Sequence, residues 1–216
     1  MLTEQLLATA TGTLLLTAVL LLWRRSIRAA AFLLGTQGFA LAGLGALTAA
    51  TQGHAELYAG AVLFALIKGF LIPALLRRTA RTVGAGTEAT PLVNPTTGML
   101  LAAALTTVAY LVSQPLVAGD GDRLAGAIPV GIAVVLIGFL VIATTRQALA
   151  QIIGFVTVDN GIGATALLAS GGLPIVIELG VLLDVLLVVL ILLVLARGIG
   201  AAFATTELHS LSELRD

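Results

Sequence analysis

Residues 174–197 read PIVIELGVLLDVLLVVLILLVLAR, and this stretch decides the fold class. Between Ile175 and Leu195 it contains 18 Leu, Ile or Val residues. A helix needs roughly 20 predominantly apolar residues to cross the hydrocarbon layer of a membrane. The stretch therefore predicts a transmembrane helix, and two acidic residues, Glu178 and Asp184, lie inside it.

The rest of the chain has the same character. Of its 216 residues, 59% are hydrophobic and only 10% are charged, with a mean hydropathy of +1.11. A soluble domain carries about 25% charged residues. The sequence therefore predicts an all-α integral membrane protein with about seven transmembrane helices. The apolar runs lie approximately at 5–23, 29–50, 57–76, 98–117, 126–144, 147–169 and 174–196.

Composition also restricts the chemistry that the chain can perform. Eleven basic and eleven acidic residues balance, which argues against a basic surface for nucleic acid. The absence of cysteine from the sequence excludes disulfides, thiolate metal sites and iron–sulfur ligation. The two histidines, His54 and His209, lie far apart in sequence. We therefore expect no catalytic centre, metal or cofactor in this chain, and any redox chemistry would belong to a partner.

The basic residues predict how the chain is oriented in the membrane. If seven spans alternate, nine of the eleven basic residues fall on one side, and only Arg123 falls on the other. Positive residues favour the cytoplasmic side, so we expect the N-terminus outside and the C-terminus in the cytoplasm. The nine are Arg24, Arg25, Arg28, Arg77, Arg78, Arg81, Arg146, Arg197 and Arg215.

Four ionisable residues lie within the predicted spans: Lys68, Asp159, Glu178 and Asp184. A charge near the bilayer centre costs about 2.5–3.5 kcal/mol on the insertion scale. Such residues usually mark ion or proton pathways, although they can also be structural and satisfied by a neighbouring helix or a partner subunit. Asn160 extends a polar break at Asp159, and Pro73 predicts a helix kink five residues after Lys68.

The sequence also predicts an internal repeat. If Gly35 is aligned with Gly154, each copy contains three spans, and the third span of each carries a central ionisable residue, Lys68 or Asp184. We therefore expect two three-helix units joined by an extra span. The predicted segments are a first unit at 1–83, a cytoplasmic linker at 84–97, a connecting span with its outer loop at 98–125, a second unit at 126–200 and a cytoplasmic tail at 201–216.

The second unit contains several recognisable motifs. Arg146-Gln147-x-Leu149-x-x-x-Ile153-Gly154, Asp184 with Arg197, and the closing Ser210-x-Ser212-Glu213-Leu214-Arg215 resemble the small K-type membrane subunit of respiratory complex I. With Asp159-Asn160-Gly161, Glu178-x-Gly180 and Asp184 through Arg197, the chain over its full length resembles hydrogenase-4 component E, found in membrane-bound group 4 hydrogenases and formate hydrogenlyase-type complexes.

This resemblance implies a non-catalytic subunit of a redox complex in the plasma (inner) membrane of a prokaryote. It implies antiporter-like and H-type membrane partners and a peripheral iron–sulfur arm. Two membrane glutamates of the K-type subunit belong to a proton relay; the second falls on Asp184, and the first falls on Val156, one turn before Asp159. In the first copy the matching positions hold Gln37 and Lys68. The implied relay comprises Asp184, Asp159, Lys68 and Glu178, with Gln37 and Asn160 as accessory polar residues.

Two other functions fit the same residues. The small subunit of multisubunit sodium/proton antiporters also resembles the K-type subunit, so an antiporter subunit is one alternative. A structural membrane anchor for a redox arm is the other. The co-purifying subunits distinguish these alternatives, because iron–sulfur or hydrogenase-like partners indicate a redox complex.

Overall fold

The computed structural model describes residues 2–24, 26–53, 55–82, 92–119, 124–170, 182–183, 185–195 and 198. These residues are helical apart from short turns, and they contain no β-strand. The predicted all-α fold is confirmed. The helices are α1 (Leu2–Trp23), α2 (Ile27–Gln52), α3 (Ala55–Phe64), a π-helical turn (Ala65–Leu71), α4 (Ile72–Thr82), α5 (Pro95–Gly119), a 3₁₀ turn (Ala125–Ala127), α6 (Ile128–Thr144), α7 (Ala148–Ser170) and α8 (Val185–Leu195).

Six helical spans in these ranges are long and apolar enough to cross a membrane. They are α1, α2, the continuous rod formed by α3, the π-helical turn and α4, then α5, α6 and α7. They correspond to the first six predicted spans. The part of the seventh predicted span that the structure describes includes the apolar helix α8. Glu178, Asp184, the tail at 201–216 and residues 84–91 of the linker predicted at 84–97 lie outside the described residues; the last three residues of that linker belong to α5.

The threonines of these spans are compatible with lipid because their hydroxyls are satisfied within their own helices. Thr17 donates to the carbonyl of Thr13, Thr48 to that of Leu44 and Thr157 to that of Ile153, over 2.7, 2.9 and 2.9 Å. A polar group in the hydrocarbon layer finds no water and must be bonded internally. These hydroxyls therefore contribute little polar surface.

Among the six spans, α2 and α7 are the most buried. In the most apolar part of each of these two helices 67% of the residues are buried, whereas the corresponding shares are 28% for α1 and 22% for α5. Glycines allow α6 and α7 to pack backbone against backbone. A Cβ atom at Gly138 would lie 2.7 Å from the backbone nitrogen of Val158, and one at Gly161 would lie 2.6 Å from that of Val135. Small residues permit this approach in membranes, where lipid removes most of the hydrophobic drive for association.

Three helix termini meet at one end of the bundle. The backbone N–H of Leu92, just before α5, donates to the carbonyl of Thr144 at the end of α6 over 2.8 Å. Arg24 after α1, Asn94 before α5 and Thr145 after α6 line one small cavity. This arrangement is the one that alternating spans predict. It places the α1–α2 and α6–α7 junctions, where several of the predicted cytoplasmic arginines lie, at the same end.

Candidate functional site

A buried ion pair lies between the third and sixth spans. Nζ of Lys68 is 2.5 Å from Oδ2 of Asp159, although the two residues are 91 positions apart in sequence. Their side chains are only 1% and 10% exposed. Lys68 is thus bonded inside the bundle rather than extended toward the membrane surface, and its partner belongs to the same chain.

The backbone around Lys68 is not a regular α-helix. Residues Ala65–Leu71 form a π-helical turn, which ends with the N–H of Ile72 donating to the carbonyl of Ile67. Pro73, which lacks an N–H, follows directly. Where the sequence predicts a kink, the structure therefore has a π-helical turn on the N-terminal side of Pro73. π-Helical turns are rare in proteins, and those that occur are frequently found at functional sites.

Glycines on α2 allow this turn to approach closely. A Cβ atom at Gly38 would lie 2.5 Å from the backbone nitrogen of Gly69, and one at Gly35 would lie 3.0 Å from the carbonyl oxygen of Gly69. The backbone of α2 therefore touches the backbone beside Lys68. On α7, a Cβ atom at Gly163, one turn after Asp159, would lie 3.7 Å from Nζ of Lys68.

An aromatic ring provides a further contact for the ammonium group. Nζ of Lys68 lies 5.4 Å from the centre of the Phe64 ring, which is itself 5% exposed. A cation over an aromatic face is attracted by the ring quadrupole, by up to about 2 kcal/mol when both are desolvated. The amino group of Lys68 therefore contacts both a carboxylate and an aromatic ring.

A second polar pair lies beside the ion pair. The amide Nδ2 of Asn160 donates to Oε1 of Gln37 over 3.1 Å, and both side chains are fully buried. Within the described part of the chain, Nε2 of Gln37 and Oδ1 of Asn160 have no hydrogen-bond partner. Asn160 follows Asp159 on α7, and Gln37 precedes Gly38 on α2. The two pairs therefore share one junction, formed by α2, the π-helical turn and α7.

Four residues selected from the sequence come together at this junction: Lys68, Asp159, Gln37 and Asn160. The pairings themselves were not predicted. Phe64 and the glycines at 35, 38 and 163 were also missed, although each of these glycines lies within four positions of a site residue on its own helix. The described residues contain no group of three or more His, Cys, Asp and Glu that could hold a metal ion.

Comparison with known proteins places the chain in a family. The uncharacterized protein Rv0085 of Mycobacterium tuberculosis is 40% identical over 211 residues, which cover 96% of this chain and 94% of that protein. The chain belongs to the family of this mycobacterial protein. Hydrogenase-4 component E of Escherichia coli and of Shigella flexneri is a distant homologue, 24% identical over 204 residues that cover 94% of both chains.

This homology confirms the resemblance to hydrogenase-4 component E over nearly the whole chain, while the resemblance to the K-type subunit stays a prediction. No family model matches the sequence. No solved structure matches it either. The six apolar spans and the homology together identify a multi-pass membrane protein.

Proposed function

We propose that this protein is a non-catalytic membrane subunit of a hydrogenase-like redox complex and that its buried polar residues relay protons. The name of the distant homologue, hydrogenase-4 component E, supports membership of a multisubunit hydrogenase. The observation that carries the relay is the Lys68–Asp159 pair, buried between transmembrane helices. The proposed partners are antiporter-like and H-type membrane subunits and a peripheral iron–sulfur arm.

The geometry of the pair suits proton exchange. Transfer of one proton from Nζ of Lys68 to Oδ2 of Asp159 converts the ammonium and carboxylate into an amine and a carboxylic acid without changing the net charge. The acid can then donate its proton onward, and the amine can accept another.

A purely structural role explains the pair less well. Replacing a buried ion pair by apolar residues of similar volume is often neutral or stabilising, so stability alone does not require one. Intramembrane charges are expensive and typically mark ion or proton paths. We propose that Asp184 and Glu178 continue the relay within the seventh span, and that the chain consists of two related three-helix units.

The decisive experiment removes both charges at once. The variant Lys68→Met/Asp159→Leu removes both charges of the pair together, so neither is left buried without the other, and we expect the complex to assemble and to transfer electrons. We expect proton uptake into inverted vesicles, driven by the complex's own electron donor and acceptor, to be mostly lost. Thr157→Val, which changes a buried hydroxyl that donates to the carbonyl of Ile153 in its own helix, is the matched control. Unchanged proton uptake per electron in the double variant would show that the pair is structural.

Isolation of the assembled complex tests the partners in the same preparation. Iron–sulfur or hydrogenase-like subunits would support the redox complex. A set consisting only of membrane subunits would contradict it and would support the antiporter alternative.

We further propose a plasma-membrane location in a prokaryote, with the N-terminus outside. The support is the shared end of the bundle that carries the α1–α2 and α6–α7 junctions. Because the sequence contains no cysteine, single cysteines can report the topology. A membrane-impermeant maleimide should label Gln52→Cys, at the C-terminal end of α2, in intact cells. It should label Ser26→Cys, between α1 and α2, only in inverted vesicles, and the reverse pattern would show the opposite orientation.

A further inference from the structure

We infer that Gln37 and Asn160 form a binding site for one internal water molecule, which connects to the Lys68–Asp159 pair. The observation is the incomplete hydrogen bonding of two fully buried amides. Only one bond, from Nδ2 of Asn160 to Oε1 of Gln37, joins them. One donor, Nε2 of Gln37, and one acceptor, Oδ1 of Asn160, have no partner among the described residues.

Reorienting the amides does not remove this deficit. If both amide groups are flipped, the bond runs from Gln37 to Asn160, and again one donor nitrogen and one acceptor oxygen are left over. If only one group is flipped, two nitrogens or two oxygens face each other. Because every assignment of the four atoms leaves unpaired groups, a third group is needed to satisfy them.

The described residues around the two amides do not supply that third group. The neighbouring side chains one turn away on the same helices are apolar and buried, at Leu34 and Leu41 on α2 and at Val156 and Ala164 on α7. The hydroxyl of the nearby Thr157 already donates to the carbonyl of Ile153. A water molecule can accept from Nε2 and donate to Oδ1, and buried waters typically bond to such groups.

The location of this site gives the water a role. Asn160 is adjacent in sequence to Asp159, and Gln37 is adjacent to Gly38, which touches the backbone beside Lys68. An amide side chain does not readily accept a proton, whereas a water can accept one and donate another. The water would therefore serve as the step by which protons reach or leave the ion pair, and this role rests on the proposed relay function.

The test uses the intact complex and the variant Gln37→Met/Asn160→Leu, which removes both unpaired atoms together. High-resolution electron cryo-microscopy should show water density within hydrogen-bonding distance of Nε2 of Gln37 and Oδ1 of Asn160, and this density should be absent from the variant. We expect the variant to assemble and to transfer electrons but to lose most proton uptake per electron. Thr157→Val again serves as the control, with both the density and the uptake retained.

The outcomes distinguish this inference from the relay itself. A well-resolved wild-type map without density between the two amides would overturn the water site. Density accompanied by normal proton uptake in the Gln37→Met/Asn160→Leu variant would overturn its role in the path. If the Lys68→Met/Asp159→Leu variant still loses uptake in that case, the relay function stands and only the water step is wrong.

Discussion

Two helix contacts in this bundle are both formed by glycines, but they differ in the residues that the glycines meet. At the α6–α7 contact, Gly138 and Gly161 bring two regular α-helices together, and the atoms they meet belong to valines and to backbone. At the contact between α2 and the π-helical turn, Gly38 brings the helices equally close, and the residue that it faces is Lys68. Close packing by glycine is therefore general in this molecule, whereas the polar site is local.

The difference continues along α7, which takes part in both regions. Gly154, Val158 and Gly161 face α6, whereas Asp159 and Asn160 bond to the π-helical turn and to α2. Successive residues of a helix differ in direction by about a quarter turn or more, since 3.6 residues complete a turn. One helix can thus present an apolar face to one neighbour and a polar face to another.

The largest expected effect comes from breaking the ion pair between Lys68 and Asp159 at the polar contact. Lys68→Met leaves the Asp159 carboxylate buried without its partner, which should reduce the free energy of unfolding by about 3–5 kcal/mol. Thermal unfolding of the purified complex measures this change. Adding Asp159→Leu to the same chain should restore most of the stability, since it removes the unpaired charge. Equal stability of the single variant and the wild type would show that the pair is not formed in the membrane.

A smaller effect comes from matched changes to the two contacts. Gly38→Ala and Gly161→Ala each place a Cβ atom against backbone, and overpacking of this kind costs about 1–3 kcal/mol. Both should lower the thermal midpoint, while Gly43→Ala, whose Cβ would meet no atom of another described helix within 4 Å, should not. Only Gly38→Ala should also lower proton uptake per electron in the assembled fraction, because it displaces the backbone of Lys68. Equal loss of uptake in Gly161→Ala would remove the functional distinction between the two contacts.

Much of the candidate site could be selected from the sequence, because charged and amide residues are conspicuous in apolar helices. Lys68, Asp159 and Asn160 were predicted on that ground, and Gln37 was selected because it matches a relay position in the first copy of the repeat. Their pairing could not be predicted, since Lys68 and Asp159 are 91 positions apart and Gln37 and Asn160 are 123 apart. Which side chains meet at such separations depends on the rotation and neighbours of each helix. The π-helical turn was indicated only indirectly, by Pro73.

The sequence by itself determined the membrane class, the number and approximate limits of the first six spans and the residues that carry charge within them. These properties follow from length and composition, since the bilayer sets the thickness and excludes unpaired polar groups. Only the tertiary structure decided that α2 and α7 are the central helices, that a π-helical turn carries Lys68 and that two polar pairs share one junction. The physical reason is that helix packing depends on contacts between backbones that are far apart in sequence. Glycines permit such close contacts, but they do not determine which helix will be the neighbour.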